Sequence, residues 1–465
     1  MPTFPERLSR LAALRPAKRR PAAEEDFAAR PADESDALAR RLGAGVGKNR
    51  FGEHLVVQQW FSSPEPCGLN PEALRLLLPA KPRIPRVPPS LTERLSDPSQ
   101  WLFLDTETTG LAGGTGTYAF LIGLAWWESG GLQVEQLFMR DYGEEHSLLV
   151  ELAERMASRR VLVTFNGKSF DWPLLETRYA MTRSIKPHLP ETHLDLLHTA
   201  RALWKLRLGS VRLTELERHV LDAPRLGWRR DHDIDSALIP QIYFDYLRGG
   251  SSEPLAGVFR HNQMDLRGLA ALAGKILALL ESAEPLGLAD DPLDIFGLSR
   301  LVQRRGEASR ARQLYESALG AGLPRDAGRA ARRELALLAK RAGDFERANA
   351  LWSELAENPQ GDPQEAFRAY EQLAMYFEHR EKEPHRAAAL TRRALAFLAR
   401  ARGSRWGAFD ESRASNLEAR FRRRLTRLER LETRQTSRNH NPLRSANSPA
   451  PSSADAESNQ KPGPG

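Results

Sequence analysis

The sequence predicts a mixed α/β domain of five strands with flanking helices, then an all-α region of repeated helices, with disordered termini. Three observations carry this expectation. Short apolar runs separated by glycine or Asn-Gly turns recur between Trp101 and Leu197, and helix-period segments alternate with them. Beyond Pro292 only helical spacing remains. A chain of 465 residues is also too long for one ordinary core. Its 41% hydrophobic and 28% charged residues exclude a wholly disordered or collagen-like protein. No apolar run of about 18 residues is present, so no membrane span is expected. The opening MPTFPERLSRLAALRPAKRRPA lacks the apolar core of a secretory signal. Cys67 stands alone and cannot close an intramolecular disulfide, which fits a reduced, cytoplasmic compartment. The formal net charge of +8 favours polyanionic partners.

Taken in order, residues 1–50 are rich in Ala, Arg, Pro and Glu without sustained period and predict a disordered arm. Residues 51–94 predict a short structured segment, with a strand at Glu53–Val57, and a Pro-rich linker with six prolines between Pro79 and Pro98. The main domain then occupies 95–285. Trp101–Asp105 is a strand, glycines 110, 113, 114 and 116 make a turn, and Tyr118–Trp127 is a buried strand. After Gly130-Gly131, the alternation of Leu132–Phe138 predicts a half-exposed third strand. Leu148, Leu149, Leu152 and Met156 space a helix over Glu144–Met156. Val161–Phe165 is a β-branched strand closed by Asn166-Gly167, and Phe170–Tyr179 is helical. His193–Leu197 predicts a fifth strand, Leu213–Leu221 a helix, and Leu255–Leu280 a long closing helix.

Residues 290–432 predict helical repeats. The patterns Ala311-x-x-Leu314-Tyr315-x-x-Ala318, Ala348-x-x-Leu351-Trp352-x-x-Leu355 and Ala387-x-x-Leu390-Thr391-x-x-Ala394 recur at offsets of 37 and 39, and Gly306 and Gly343 precede the first two. They resemble tetratricopeptide-type helix pairs, which would offer a surface to a protein partner. Leu417, Phe421, Leu425, Leu428 and Leu431 make one further amphipathic helix ringed by arginines. Residues 433–465 read as a disordered tail.

Asp105 and Glu107 lie two apart where the first strand meets its turn, so both carboxylates share one face. Paired anions need a cation, and hard Mg²⁺ or Mn²⁺ prefers oxygen ligands. Asp171 follows at a strand-to-helix junction. His261 and Asp265 are four apart on the closing helix, about 40° apart around its axis, and can face one cleft.

Phe-Leu-Asp105-Thr-Glu107-Thr-Thr-Gly-Leu, Asn166-x-x-x-Phe170-Asp171 and His261-x-x-x-Asp265 together resemble the three motifs of the DEDD 3′-to-5′ exonuclease superfamily, which has a ribonuclease-H-like fold. Gly-Gly-Thr-Gly-Thr-Tyr-Ala-Phe-Leu-Ile-Gly and Asn-Gly-Lys-Ser-Phe-Asp-Trp-Pro-Leu-Leu are similar to the bacterial YprB-type predicted exonucleases. The resemblance covers roughly residues 95 to 285 and implies a nuclease acting on the 3′ end of DNA or RNA. It implies Asp105, Glu107, Asp171 and Asp265 as ligands of two Mg²⁺ or Mn²⁺ ions, with His261 orienting or deprotonating water. Four residues from His to Asp is the Tyr-type spacing; the His-type subgroup uses five. Thr106, Thr108 and Leu111 are expected at the terminal nucleotide, and Asn166 and Lys168 at the strand end or a phosphate. Asp195 is expected to be structural.

Gly43–Asn49 looks like a phosphate loop but has Leu42 for its first glycine and Asn49 for the Ser or Thr that would hold Mg²⁺. His188, His193 and His198, five apart, do not stack on one helix face, and one cysteine excludes the common zinc fingers. The alternative function is a catalytically weak nucleic-acid-binding or scaffold protein working through its helical repeats. An internal-cutting nuclease of the same fold would differ by cleaving circular strands.

Overall fold

The computed structural model describes residues 32–62, 70–78, 89–110, 114–128, 130–187, 189–223, 230–283, 287–289, 291–357, 363–403 and 411–439. The chain divides into two compact units, 1–317 and 318–465. Residues 1–31 of the arm expected over 1–50, residues 440–465 of the tail expected over 433–465, and Leu111 lie outside the described residues, while 433–439 are helical rather than disordered.

The first unit is built on one mixed sheet of seven strands, not five. These are β1 (Gly45–Asn49), β2 (Gly52–Ser62), β3 (Trp101–Thr108), β4 (Ala119–Glu128), β5 (Gly131–Phe138), β6 (Val161–Thr164) and β7 (Thr192–Asp195). Their order is β1-β2-β5-β4-β3-β6-β7. The pairs from β1 to β3 are antiparallel, while β3–β6 and β6–β7 are parallel. The two extra strands come from the segment expected to be an arm and a separate short element. Here α1 (Ala32–Leu42) leads into the β1–β2 hairpin, and β2 pairs with β5 over eight residues, Leu55–Ser62 against Phe138–Gly131. The look-alike phosphate loop is thus β1 and its approach; Asn49 hydrogen-bonds the Ser147 carbonyl at 2.9 Å and caps Phe51 N–H at 3.0 Å.

This pairing also corrects the half-exposed third strand. With partners on both edges, β5 is buried on both faces, Glu135 and Gln136 included. Burial of a carboxylate requires compensation, and Glu135 receives Arg155 at 2.6 and 3.1 Å and Gln58 at 2.6 Å. The strand expected over His193–Leu197 stops at Asp195, whose side chain caps Leu197 N–H at 3.1 Å and starts a helix instead.

In chain order the remaining helices of this unit are α2 (Pro71–Leu77), α3 (Pro89–Leu95), α4 (Glu145–Ala157), α5 (Asp171–Thr182), α6 (Leu196–Leu208), α7 (Leu213–His219), α8 (Ile239–Leu247), α9 (Leu255–Glu281) and α10 (Pro292–Arg304). α9 packs on β3, β4 and β5, and α4 on β2, so the central strands are covered on both faces, as their unbroken apolar runs require. Trp101, Phe103 and Trp127 form one aromatic cluster, with Phe103 meeting Trp127 edge-on at 4.7 Å. Phe120 stacks on Tyr243 at 4.0 Å. α10, expected among the repeats, packs on α6 within this unit; a Cβ at Gly297 would lie 2.5 Å from the Leu203 carbonyl oxygen, so the missing side chain permits the approach. Among the described residues no helix is long and apolar enough to cross a membrane.

The boundary between the units falls within α11 (Ala308–Gly320). The second unit holds α12 (Arg325–Arg341), α13 (Phe345–Glu357), α14 (Pro363–His379), α15 (Pro384–Gly403) and α16 (Glu411–Asn439), each packed on the next. The repeat seen in the sequence corresponds to α11, α13 and α15, whose Ala311, Ala348 and Ala387 are all buried. Two residues before each of these helices the backbone turns left-handed, at Gly306 (φ 89°), Gly343 (φ 80°) and Lys382 (φ 59°). The third repeat keeps the turn without the glycine.

Candidate active site

β3 is the strand at which the sheet changes from antiparallel to parallel pairing, a usual place for a cleft at the strand ends. Its apolar half, Trp101–Leu104, is buried; its polar half, Asp105–Thr108, is partly exposed. The register with β4 shifts between Glu107 and Thr108, a bulge that re-aims the strand end.

Asp105 and Glu107 occupy one face of β3. Above them runs α9, and Asn262, fully buried, donates to Asp105 Oδ2 at 2.8 Å. Asn262 is itself held by Gln136, whose Nε2 donates to Asn262 Oδ1 at 2.9 Å and to the Phe259 carbonyl at 2.8 Å. Asp105, Gly123 and Gln136 are register partners across three strands. A Cβ on Gly123 would sit 2.1 Å from Asn262 Oδ1, so glycine is required for this asparagine to lie on the sheet. Neither Asn262 nor Gln136 stands out in the sequence.

Thr106, between the two acids, points to the opposite face and donates to Asp171 Oδ1 at 2.5 Å. Asp171 opens α5. The turn before it is fixed by Asp195, which accepts from Asn166 N–H at 2.8 Å and Lys168 N–H at 3.2 Å. Asn166 is left-handed (φ 69°), and a Cβ on Gly167 would collide with Thr164 at 2.5 Å. Asp195 is therefore structural, as expected. Arg178 of α5 pairs with Glu145 at 2.5 and 2.6 Å, donates to the Thr115 carbonyl at 2.7 Å and lies 3.8 Å from the Tyr118 ring centre. It ties the turn after β3 to α5.

His261 and Asp265 belong to a second network. His261 Nδ1 meets Asp233 Oδ1 at 2.9 Å, while its Nε2 lies 3.4 Å from Ser236 Oγ and 3.6 Å from Asp265 Oδ2. Arg230 joins this group, donating to Glu217 at 2.6 Å through two nitrogens, to Asp233 at 2.9 Å and to Asp265. Burial alone would raise Asp233, but hydrogen bonds from Arg230 and His261 outweigh it and hold that carboxyl below its ordinary range. Arg230, Asp233 and Ser236 carry no motif signal in the sequence; only folding joins them to α9.

The acidic residues feel one another. Burial, then the charges of Asp265, Glu107 and Asp171, push Asp105 well above the carboxylate range. Glu107 rises through burial, then Asp265, Asp171 and Asp233. Asp171 rises by burial, partly offset by its bond from Thr106. Such oxygen donors, desolvated and mutually repelling, suit a hard divalent cation by their chemistry. In this conformation Asp105, Asp171 and Asp265 are turned to Asn262, Thr106 and Arg230. Among the described residues no three His, Cys, Asp or Glu groups stand close enough together to hold one ion.

Beside the acids lies a cleft of about 390 Å³, lined by Thr106, Glu107, Thr108 and Asp171, with Gly110 and Gly114 on its backbone side. Phe170 is 60% exposed and lines it too, an apolar ring whose place at the cleft shows only in the fold. Asn166 and Lys168 do not line the cleft; their backbone amides serve Asp195.

Comparison with known proteins agrees with both units. Residues 102–277 match a family model described as RNase_H superfamily, and residues 295–402 match one described as Tetratrico peptide repeat. The uncharacterized protein YprB of Bacillus subtilis (strain 168) is 33% identical over 299 residues, covering 63% of this chain and 68% of YprB. Among solved structures, the family B DNA polymerase from the hyperthermophilic archaeon Pyrobaculum calidifontis aligns with a TM-score of 0.32 at 15% identity, covering 53% of this chain and 30% of the polymerase. BtubC (BKLC) from P. vanneervenii aligns with a TM-score of 0.24 at 22% identity, covering 54% of this chain and 97% of BtubC. Scores this low have no bearing on function. The ribonuclease-H-like sheet and the tetratricopeptide-like helices expected from the sequence are both present.

Proposed function

This chain, an RNase_H-superfamily domain followed by tetratrico peptide repeats, belongs to the family of YprB, and from that premise we propose that it is a metal-dependent exonuclease hydrolysing nucleic-acid phosphodiester bonds from the 3′ end. One observation supports the reading above the others. Carboxylates from three distant stretches meet beside one cleft: burial, then the charges of Asp265 and Asp171, push Asp105 and Glu107 well above the carboxylate range, and Glu107 and Asp171 line the cleft.

Two Mg²⁺ or Mn²⁺ ions held by Asp105, Glu107, Asp171 and Asp265 would supply activation of water and stabilisation of the leaving 3′ oxygen. The chain's own residues do the rest. Asn262 and Thr106 fix the rotamers of Asp105 and Asp171 from opposite faces of β3. Asp233 accepts a hydrogen bond from His261 Nδ1–H, leaving Nε2 to orient or accept a proton from water. The hydroxyls of Thr106 and Thr108 and the backbone at Gly110 and Gly114 suit sugar and phosphate, and the Phe170 ring offers a terminal base a stacking face.

A second reading, a catalytically weak nucleic-acid-binding or scaffold protein, is favoured by one specific contact: Arg230 already neutralises Asp265. One experiment separates the two. Labelled DNA and RNA strands, with each end blocked in turn, are incubated with Mg²⁺ or Mn²⁺ and either wild type or Asp171→Asn. Exonuclease action shortens strands with a free 3′ end and spares circles, and Asp171→Asn slows it about 10³-fold or more. Intact strands, or activity unchanged in the variant, would overturn the proposal.

A further inference from the structure

The last helix of the second unit carries its charges in a pattern that simple solvation does not explain. α16 contains nine arginines and four glutamates and no lysine. At about 100° per residue, Arg413, Arg420, Arg423, Arg424, Arg427, Arg430 and Arg434 fall within an arc of about 120°. Glu411, Glu418, Glu429 and Glu432 fall on the opposite side. A helix stabilised by its own surface pairs interleaves the two signs four residues apart; within α16 only Glu418 and Arg422 do so.

The acidic side is already engaged. α15 supplies Arg392 to Glu429 at 3.0 Å and Arg402 to Glu411 at 3.1 Å and to Glu418. Ala414, Phe421 and Leu428 are buried, so the helix has no apolar face left to insert into a membrane. On the basic side, Glu371 and Glu378 of α14 hold Arg420, Arg424 and Arg427. Arg423, Arg430 and Arg434 are exposed, without an ion-pair partner among the described residues, and lie within an arc of about 40° opposite the buried stripe. Around the middle of this side the surface is concave, a hollow of about 320 Å³ lined by Glu371, Arg420, Phe421, Arg423, Arg424 and Arg427.

From this geometry we infer that the arginine side of α16 is a binding surface for the phosphodiester backbone of a nucleic-acid strand. From Arg420 to Arg434 a guanidinium recurs about every 5 Å along about 21 Å of helix, facing about six phosphates of a stacked strand. The planar guanidinium fork matches phosphate oxygens. Phe421 is buried at the floor of the hollow, and Arg423, Arg430 and Arg434 stand out from it, so the surface suits a partner recognised by regular charge. The choice of a nucleic acid over an acidic protein rests on the nuclease reading of the cleft.

The test uses the full chain in EDTA, with fluorescence anisotropy of labelled DNA and RNA strands of about 30 nucleotides across a salt series. Arg423→Glu, Arg430→Glu and Arg434→Glu together should weaken binding about tenfold or more. They should also flatten the slope of log affinity against log salt by about 2, near 0.7 for each lost phosphate contact. The corresponding triple change to Lys keeps the slope. If circular dichroism finds the Glu triple misfolded, the triple change to Gln reads the same loss. Affinity within twofold of wild type in a folded variant would refute the surface. So would polyglutamate of equal charge that binds as tightly and is lost in parallel. No cleavage is read, so this surface and the nuclease reading can fail independently.

Discussion

One absent methyl group at position 123 lets Asn262 reach Asp105. Gly123→Ala would drive a Cβ to 2.1 Å from Asn262 Oδ1, and α9 is too tightly packed on the sheet to yield without cost. The expected result is a loss of about 2–3 kcal/mol in urea unfolding, with nuclease activity reduced about tenfold or more as Asp105 loses its orientation. Arg230→Gln acts differently. It leaves buried Glu217 without its guanidinium, so stability should fall by about 3 kcal/mol, and Asp265 loses its resident counter-charge. His193 bears on pH: burial, then the charge of Lys168, lowers it from 6.5 to about 4. The folded chain therefore holds fewer protons than the unfolded chain between those values. The neutral ring's stability contribution is complete above pH 6.5 and drains away as pH falls toward 4. The loss should be about 1–2 kcal/mol and should vanish in His193→Gln, as denaturant midpoints measured from pH 7 to 4 would register.

At the scale of elements, the left-handed turn before α15 is the exception in its series. Gly306 and Gly343 adopt it freely, whereas Lys382 does so at φ 59°. Lys382→Gly should raise stability by about 0.5 kcal/mol, the relief of strain being partly cancelled by the freer unfolded chain, as thermal melting would report. The repeat was legible because alanine and leucine spacing survives in all three copies; the third turn was hidden by a side chain that hides its backbone conformation. β3 was legible for a related reason, since its period of two puts Asp105 and Glu107 on one face. The β1–β2 hairpin was half hidden. Gly45–Asn49 has only one large apolar residue, Val46, and it is 54% exposed, so its place at the sheet edge comes from pairing with β2, not from its own pattern. At the end of β7 the apolar run Leu194–Leu197 reads as continued strand, yet Asp195 spends its carboxylate on the cap and the loop amides. Partners such as Asn262 and Arg230 escape any local reading because their roles exist only once distant stretches meet.

For the whole molecule, the proposed ions link function to stability. At free Mn²⁺ about 100 times its dissociation constant, binding to the folded chain alone should add roughly 2.7 kcal/mol. Scanning calorimetry in EDTA and then in Mn²⁺ should find a higher unfolding temperature that Asp171→Asn fails to reproduce. The sheet's change of direction at β3 has a consequence in time. The β4–β5 hairpin closes through a turn at Gly130, but Asn262 meets Asp105 across 157 residues and Asp171 meets Thr106 across 65. Long loops close late because their entropy must be overcome before the contact rewards it. In refolding from urea, tryptophan emission from the Trp101 and Trp127 pair should recover first and cleavage of a labelled strand should lag behind it. A freshly folded meander would thus pass through an interval in which the protein is compact but chemically silent.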